Sequence, residues 1–267
     1  MDSRNSSEQE VARLWDEGAD LLAANVRAGL DLYREHFNNP AFLAFLGDVS
    51  GKDVLDAGCG EGYNTRLLAR RGARVTGVDI SQRMIELARE EEQREPLGIR
   101  YEVASFCDLS FFHDASFDAV VSFMALMDGP DYHTAAKEFF RVLRPGGDLV
   151  FSITHPCFRT KGYGWVRDEH GDCVSLTVSH YFAEEPYLTH FPVPKEDAPE
   201  ARIDIPLLQF QRTISDYVNI LISAGFVLKR IEEPRPSEEA CERHPFLRRW
   251  REHAASFLYV RAVKPSS

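Results

Sequence analysis

Val54-Leu55-Asp56-Ala57-Gly58-Cys59-Gly60-Glu61-Gly62 runs an apolar pair into an acid and then sets glycine at three alternate positions. Without a Cβ at every second residue the backbone can turn sharply, and a ligand can approach main-chain N–H groups at the start of a helix. That helix is signalled by Leu67, Leu68 and Ala69, with Gly72 as its stop. Asp79 ends the next β-rich run, Arg74-Val75-Thr76-Gly77-Val78, 23 residues after Asp56. An α/β nucleotide fold places there the carboxylate that accepts hydrogen bonds from both ribose hydroxyls. The competing use of Asp79, capping the next helix, is already met by Ser81. Together these residues make a cradle for a ligand with a nucleoside end.

The spacing narrows the ligand. A dinucleotide fingerprint needs its third glycine where Tyr63 stands, and a P-loop needs Lys then Ser or Thr after its glycines, where Glu61-Gly62-Tyr63-Asn64 offers no cation. With Asp56 ahead of the turn, D-x-G-x-G-x-G resembles the first motif of class I S-adenosylmethionine-dependent methyltransferases. Leu143-Arg144-Pro145-Gly146-Gly147 resembles the element that precedes strand five in that family, and the motifs cover residues 53–154. More narrowly, His155-Pro156-Cys157-Phe158 and Gln211-Arg212-Thr213 are similar to the H-P-x-F and H-R-T elements of a bacterial small-molecule branch, with Gln211 where that branch carries a histidine.

The resemblance implies S-adenosylmethionine as cofactor and assigns its site. Asp56, Gly58, Cys59, Gly60, Asp79 and Ile80 form the cradle, Ser105 and Phe106 meet the adenine with Asp108 as a substitute carboxylate, and the backbone at Ser122 and Phe123 passes the sulfonium. Ser105-Phe106 stands where the family has an acid and then a small residue, and Met127 where related enzymes often carry a histidine. Trp15, Tyr33 and Arg34 would wall the methionine end, Arg34 pairing with its carboxylate. The plainer alternative makes Trp15 a helix-packing residue and Arg34 a solvated charge.

Methyl transfer from a sulfonium is an in-line displacement, so the protein must mainly hold an acceptor lone pair near the methyl carbon. A base is needed only where the acceptor loses a proton as it attacks. His155, after strand five, is the candidate base; a histidine bonding the loop backbone is the structural alternative. Tyr181, with His180, and Arg212 are candidates for holding a polar or anionic acceptor. Cys157 lacks an activating pair.

The elements that must position these residues alternate. Strands are read at 53–56, 74–79, 100–104, 117–122 and 148–154, with helices from about Thr65, Gln82 and Tyr132, the pattern of a parallel sheet with crossover helices. Thr213-Ile214-Ser215-Asp216 starts a further helix, and 226–231 with 256–263 would close the sheet as an antiparallel hairpin. The implied fold class is therefore α/β, a Rossmann-like methyltransferase sheet, mostly parallel, with helices on both faces and a lid insert. Residues 1–47 read as an N-terminal helical cap, 48–155 with 207–267 as the Rossmann-like domain, and 156–206 as the insert. That insert holds six prolines and seven aromatic side chains, too aromatic for a linker and too long for a plain loop.

At 267 residues with 44% hydrophobic and 27% charged content, the chain suits one large soluble domain. A net charge of −11 would repel a phosphate backbone, and the basic cluster at Arg243, Arg248, Arg249 and Arg251 lies among acids, so it reads as a solvated tail and nucleic acid is not the expected substrate. The five cysteines form no C-x-x-C pair, which argues against a zinc site and a disulfide framework and suits a reducing compartment. With no apolar run of membrane-spanning length and a polar start, a cytoplasmic location and no membrane partner are expected. The expected partner is a small-molecule acceptor, and a homodimer is compatible with this class. The rival reading is a catalytically idle module that binds S-adenosylmethionine and acts through a protein partner.

Overall fold

Strands covered on both faces alternate side chains between two apolar layers, and the central strands of this chain do so. In the computed structural model, which describes residues 3–194 and 202–266, Val54, Val75, Ala119, Val121 and Val150 face one core, while Leu55, Val78, Val120, Leu149 and Phe151 face the other. They belong to β1 (Asp53–Ala57), β2 (Arg74–Asp79), β4 (Phe117–Phe123) and β5 (Leu143–Thr154). With β3 (Arg100–Val103), β10 (Val227–Glu232) and β11 (Phe257–Val263) these form a seven-stranded sheet in the order β10-β11-β5-β4-β1-β2-β3. Neighbours from β5 to β3 are parallel, and β11 runs antiparallel to both β5 and β10. The Rossmann-like class and the closing hairpin expected above are the observed ones.

Helices cover both faces. On the first lie α2 (Asn39–Leu46), α3 (Tyr63–Arg70) and α4 (Gln82–Arg94); on the second lie α5 (Tyr132–Val142) and α6 (Ile214–Ser223). The α6 start is a complete capping box, with Thr213 and Asp216 exchanging side-chain and backbone bonds. The long α1 (Ser3–Arg27) buries Ala19, Leu22 and Ala23 against Met84 and Leu87 of α4 and Ile205 and Leu207 of the insert. A π-helical turn, Arg34–Asn38, joins it to α2.

Two readings need correction. Residues 144–147 read as a turn before the fifth strand, with Leu143 ending the helix, but β5 already begins at Leu143. Leu143 pairs with Phe117, and pairing resumes with Asp148 opposite Ala119, so residues 144–147 bulge out of register. Mutual backbone bonds with Lys264 close that bulge. The supposed solvated tail carries two short helices, α7 (Glu238–Arg243) and α8 (Arg248–Glu252), and Cys241 of the first, Trp250 of the second and Leu247 of the 3-10 turn between them are buried in the first core. Arg243, Arg248 and Arg251 pair with nearby glutamates, but Arg249 turns inward to donate to the Tyr33 hydroxyl.

The insert consists of two hairpins. β6 (Gly164–Arg167) with β7 (Cys173–Thr177) leans on Trp250 through Trp165, at a ring separation of 4.9 Å. The second pairs β8 (Tyr187–Pro194) with β9 (Arg202–Gln209) and lies against α1. Because β9 runs to Gln209, the structural insert extends past residue 206. Among the described residues no helix is long and apolar enough to cross a membrane.

Candidate active site

The chain runs from β1 outward to β3 and then returns to β4 on the other side of β1, which leaves a crevice at the carboxyl ends of these strands. There the glycine turn is tied to β2, since the N–H groups of Gly58 and Cys59 both donate to the Val78 carbonyl, at 2.8 and 3.0 Å. Gly58 has φ +78°, and a Cβ there would lie 2.3 Å from the Ala125 Cβ, so only glycine lets the loop after β4 close on the turn. Gly60 has φ +56° with open space where its Cβ would project. The Asp79 carboxylate is aimed back at this turn, one oxygen accepting from Gly60 N at 2.8 Å and the other from Ser81 N at 2.9 Å. Asp56 is fully buried; one oxygen accepts from the Thr65 hydroxyl at 2.7 Å, the other has no partner, and burial pushes the carboxyl pKa up to about 7.

These groups border a cavity with about 1100 Å³ of open space including its mouth, at the upper end of small-molecule sites. Of the residues singled out from sequence, Trp15, Arg34, Asp56, Gly58, Cys59, Gly60, Asp79, Ile80, Ser105, Phe106 and Phe123 line it. Arg34 pairs with Asp31 at 3.3 Å and lies 5.7 Å from the Tyr63 ring centre. Ser105 donates to Glu8 of α1 at 2.6 Å.

The other candidates lie elsewhere, each for a visible reason. Ser122 is buried with its hydroxyl donating to the Ala57 carbonyl at 2.7 Å, a tie between β4 and β1. Asp108 is exposed, its carboxylate accepting from Ser110 N in a local turn that holds its pKa below the usual range. The Tyr33 hydroxyl accepts from Trp250 Nε1 and Arg249 at 2.9 Å, anchoring α8. His155 faces inward at 1% exposure; Nε2 is 2.7 Å from Glu233, Nδ1 accepts from Cys157 N at 3.1 Å, and the ring rests on Phe158. The Tyr181 hydroxyl accepts from Ile214 N at 3.1 Å, at the start of α6. Arg212 grips the loop after β4, donating to the carbonyls of Leu126 and Gly129 among the rings of Tyr132 and Tyr217. Neither His155, Tyr181 nor Arg212 borders the cavity.

What sequence reading passed over is the acidity of the lining. Glu8, Asp31, Glu61 and Asp128 join Asp56 and Asp79, against Arg34 as the single basic residue among the described residues of the wall. Asp128, in the 3-10 turn after β4, is 5% exposed and keeps one carboxylate oxygen with no partner, as does Glu61. Its signal in the sequence is only its place, an acid just after a fully apolar strand in a loop that must end at the crevice. Apolar wall comes from Leu22 and Val26 of α1, Met124, and Phe191 and Leu207 of the second hairpin.

A tight glycine turn with open space at Gly60, a ribose-type carboxylate and buried acid oxygens without donors fit a nucleoside that also carries positive charge. Comparison with known proteins reads the same way. Residues 55–151 match the family model described as a methyltransferase domain. An uncharacterized protein of Haemophilus influenzae is 26% identical over 252 residues, covering 91% of this chain and 93% of that one. A ubiquinone biosynthesis O-methyltransferase of Idiomarina loihiensis is 34% identical over 139 residues, which span 51% of this chain and 57% of that relative. The crystal structure of an S-adenosylmethionine-dependent methyltransferase from Mesorhizobium loti superposes with a TM-score of 0.67 at 28% identity, covering 84% of this chain and 96% of that one. On this fold, this glycine turn and these likenesses, the chain carries a methyltransferase domain of the class I, S-adenosylmethionine-dependent kind.

Proposed function

We propose that the protein transfers the methyl group of S-adenosylmethionine to an oxygen or nitrogen of a small molecule held in the cavity beside the glycine turn. The observation that carries this reading is that one cavity is walled both by the cradle, Gly58, Gly60 and Asp79, and by apolar residues of α1 and the β8–β9 hairpin that a cofactor-binding turn does not itself require. Asp79 would hold the ribose; its burial raises its proton affinity, and the two backbone donors at Gly60 and Ser81 oppose that rise. Gly58, Cys59, Gly60 and Ile80 would supply the cradle, Ser105 and Phe106 the adenine wall, and Asp56, Arg34, Trp15 and Phe123 the rest of the cofactor's surroundings.

Bound there, S-adenosylmethionine supplies a methyl group on a positively charged sulfur, and transfer requires an acceptor lone pair in line with the C–S bond. The chain's part is to exclude water and to orient. Residues 3–47, the described part of the N-terminal cap, and the second hairpin serve as cover, the sheet domain as platform, and the first hairpin as a brace on α8. Acids line the cavity, so a polyanionic acceptor such as nucleic acid is disfavoured. The test is a metabolite library screened for release of S-adenosylhomocysteine; turnover with an acceptor of a few hundred daltons is expected. Turnover confined to bulk RNA or protein would overturn the reading.

A further inference from the structure

Asp128 is placed by an arrangement that the reaction's general scheme does not require. The turn that carries it, Leu126–Asp128, is clamped from the insert's exit by Arg212 on the carbonyls at 126 and 129 and by Phe210 N, which donates to the Met127 carbonyl at 2.9 Å. Its side chain is held as well. Gln209 lies beside the carboxyl and favours its charged form, and the Gln209 Oε1 accepts from the Tyr187 hydroxyl at 3.0 Å, which leaves the amide N–H₂ for Asp128. The remaining oxygen, Oδ1, is buried, belongs to a residue of the cavity wall and has no partner. An acid kept bare in an apolar chamber costs stability, and a cationic ligand recovers more of that cost than a neutral donor does.

The surroundings favour a cation too. Phe106, Phe191 and Trp15 line the cavity, and aromatic side chains attract ammonium groups. The charged or titratable groups nearest Asp128 are Arg212, Asp79, Tyr187 and Tyr217. Arg212 already donates to two carbonyls.

We propose that Asp128 Oδ1 is the counter-ion of a protonated amine on the acceptor, so that the enzyme is an N-methyltransferase of a small cationic amine. This rests on the methyltransferase reading above. Asp128 then also receives the proton that the amine must lose. An N–H bond of the ammonium breaks, its electron pair stays on nitrogen as the attacking lone pair, and the proton passes to Oδ1. Burial holds the Asp128 carboxyl well above the usual range and so suits it to that role.

The test uses the full chain saturated with S-adenosylhomocysteine and two probes of one shape, benzylammonium and benzyl alcohol, titrated calorimetrically. Benzylammonium should bind about tenfold tighter or better. Asp128→Asn should erase the preference, leave S-adenosylhomocysteine affinity within error and not lower Tm. Equal binding of the probes, binding of neither, or a preference kept in Asp128→Asn overturns the proposal. A loss of S-adenosylhomocysteine affinity in that variant also overturns it, because Asp128 would then serve the cofactor. Failure of the wild-type chain to bind S-adenosylhomocysteine at all would instead strike the methyltransferase reading.

Discussion

At the carboxyl ends of β1 and β2 the polar side chains have hydrogen-bonding capacity left over, and at the carboxyl end of β5 His155 has none. Asp56 keeps a bare oxygen, and Asp79 spends one lone pair per oxygen on backbone N–H groups while facing a cavity. His155 has both ring nitrogens engaged, and its carbonyl accepts from the N–H groups of Phe158 and Arg159. All three are polar residues at strand ends. What separates a group that can act on a ligand from one that holds a loop is whether a donor or acceptor remains unspent toward open space.

The largest effect should come from filling or emptying the first region. Gly60→Val puts a β-branched residue at φ +56° and its side chain into the open space, and Asp79→Ala removes the carboxylate proposed to accept from both ribose hydroxyls. At roughly 1.5–3 kcal/mol for each bond to a charged group, S-adenosylhomocysteine affinity should fall about a hundredfold or more in Asp79→Ala. It should be undetectable in Gly60→Val. Calorimetric titration checks both, and unchanged affinity would place the cradle elsewhere.

His155→Gln should do the opposite, costing about 1–3 kcal/mol of stability because Cys157 N and Glu233 lose a positioned partner, with cofactor affinity unchanged. Urea unfolding measures the first and calorimetry the second. A variant that is fully stable but catalytically dead would restore His155 as a base.

The two regions should also respond to pH with opposite sign. Burial raises the Asp56 pKa from 3.8 to about 7, so its contribution to stability is complete below pH 3.8 and lost as pH rises through 7. Asp56→Asn should therefore gain on the wild type toward alkaline pH. Burial lowers the His155 pKa below 6.5, outweighing the pull of Glu233, so its contribution is complete above pH 6.5 and lost as pH falls below it. Relative to wild type, His155→Gln should lose less stability on acidification. Shifts in Tm of about 2 °C or more are expected, and parallel curves would refute the assignment of either group.

The sheet was legible because its strands are short apolar runs bounded by glycine and charge, and because Asp79 lies at the carboxyl end of β2. The helix carrying Trp250 was hidden by the arginines on its outer face: charge density reads as solvent, while the inward Cys241, Leu247 and Trp250 are too widely spaced to announce a core. Asp128 was passed over because its meaning depends on Gln209 and Tyr187, which only the folded insert brings to it. Partner-dependent roles of this kind carry no local signal.

The smallest expected effect tests the same comparison at Tyr181. Its hydroxyl accepts from Ile214 N, one of the first-turn donors that a helix leaves without an intrahelical partner. Burial raises its pKa, but the residue is only partly covered, so in Tyr181→Phe water can reach the freed N–H. Thr213 already caps the same helix through Asp216 N. Stability should therefore drop by less than about 1 kcal/mol, and the acceptor's KM and the cofactor's Kd should not move. A rise in KM of tenfold or more at unchanged stability would mean that the hydroxyl turns into the cavity when ligands bind. In that case its bond to Ile214 would belong to a resting arrangement of the insert, and leftover capacity would have to be judged with ligands in place.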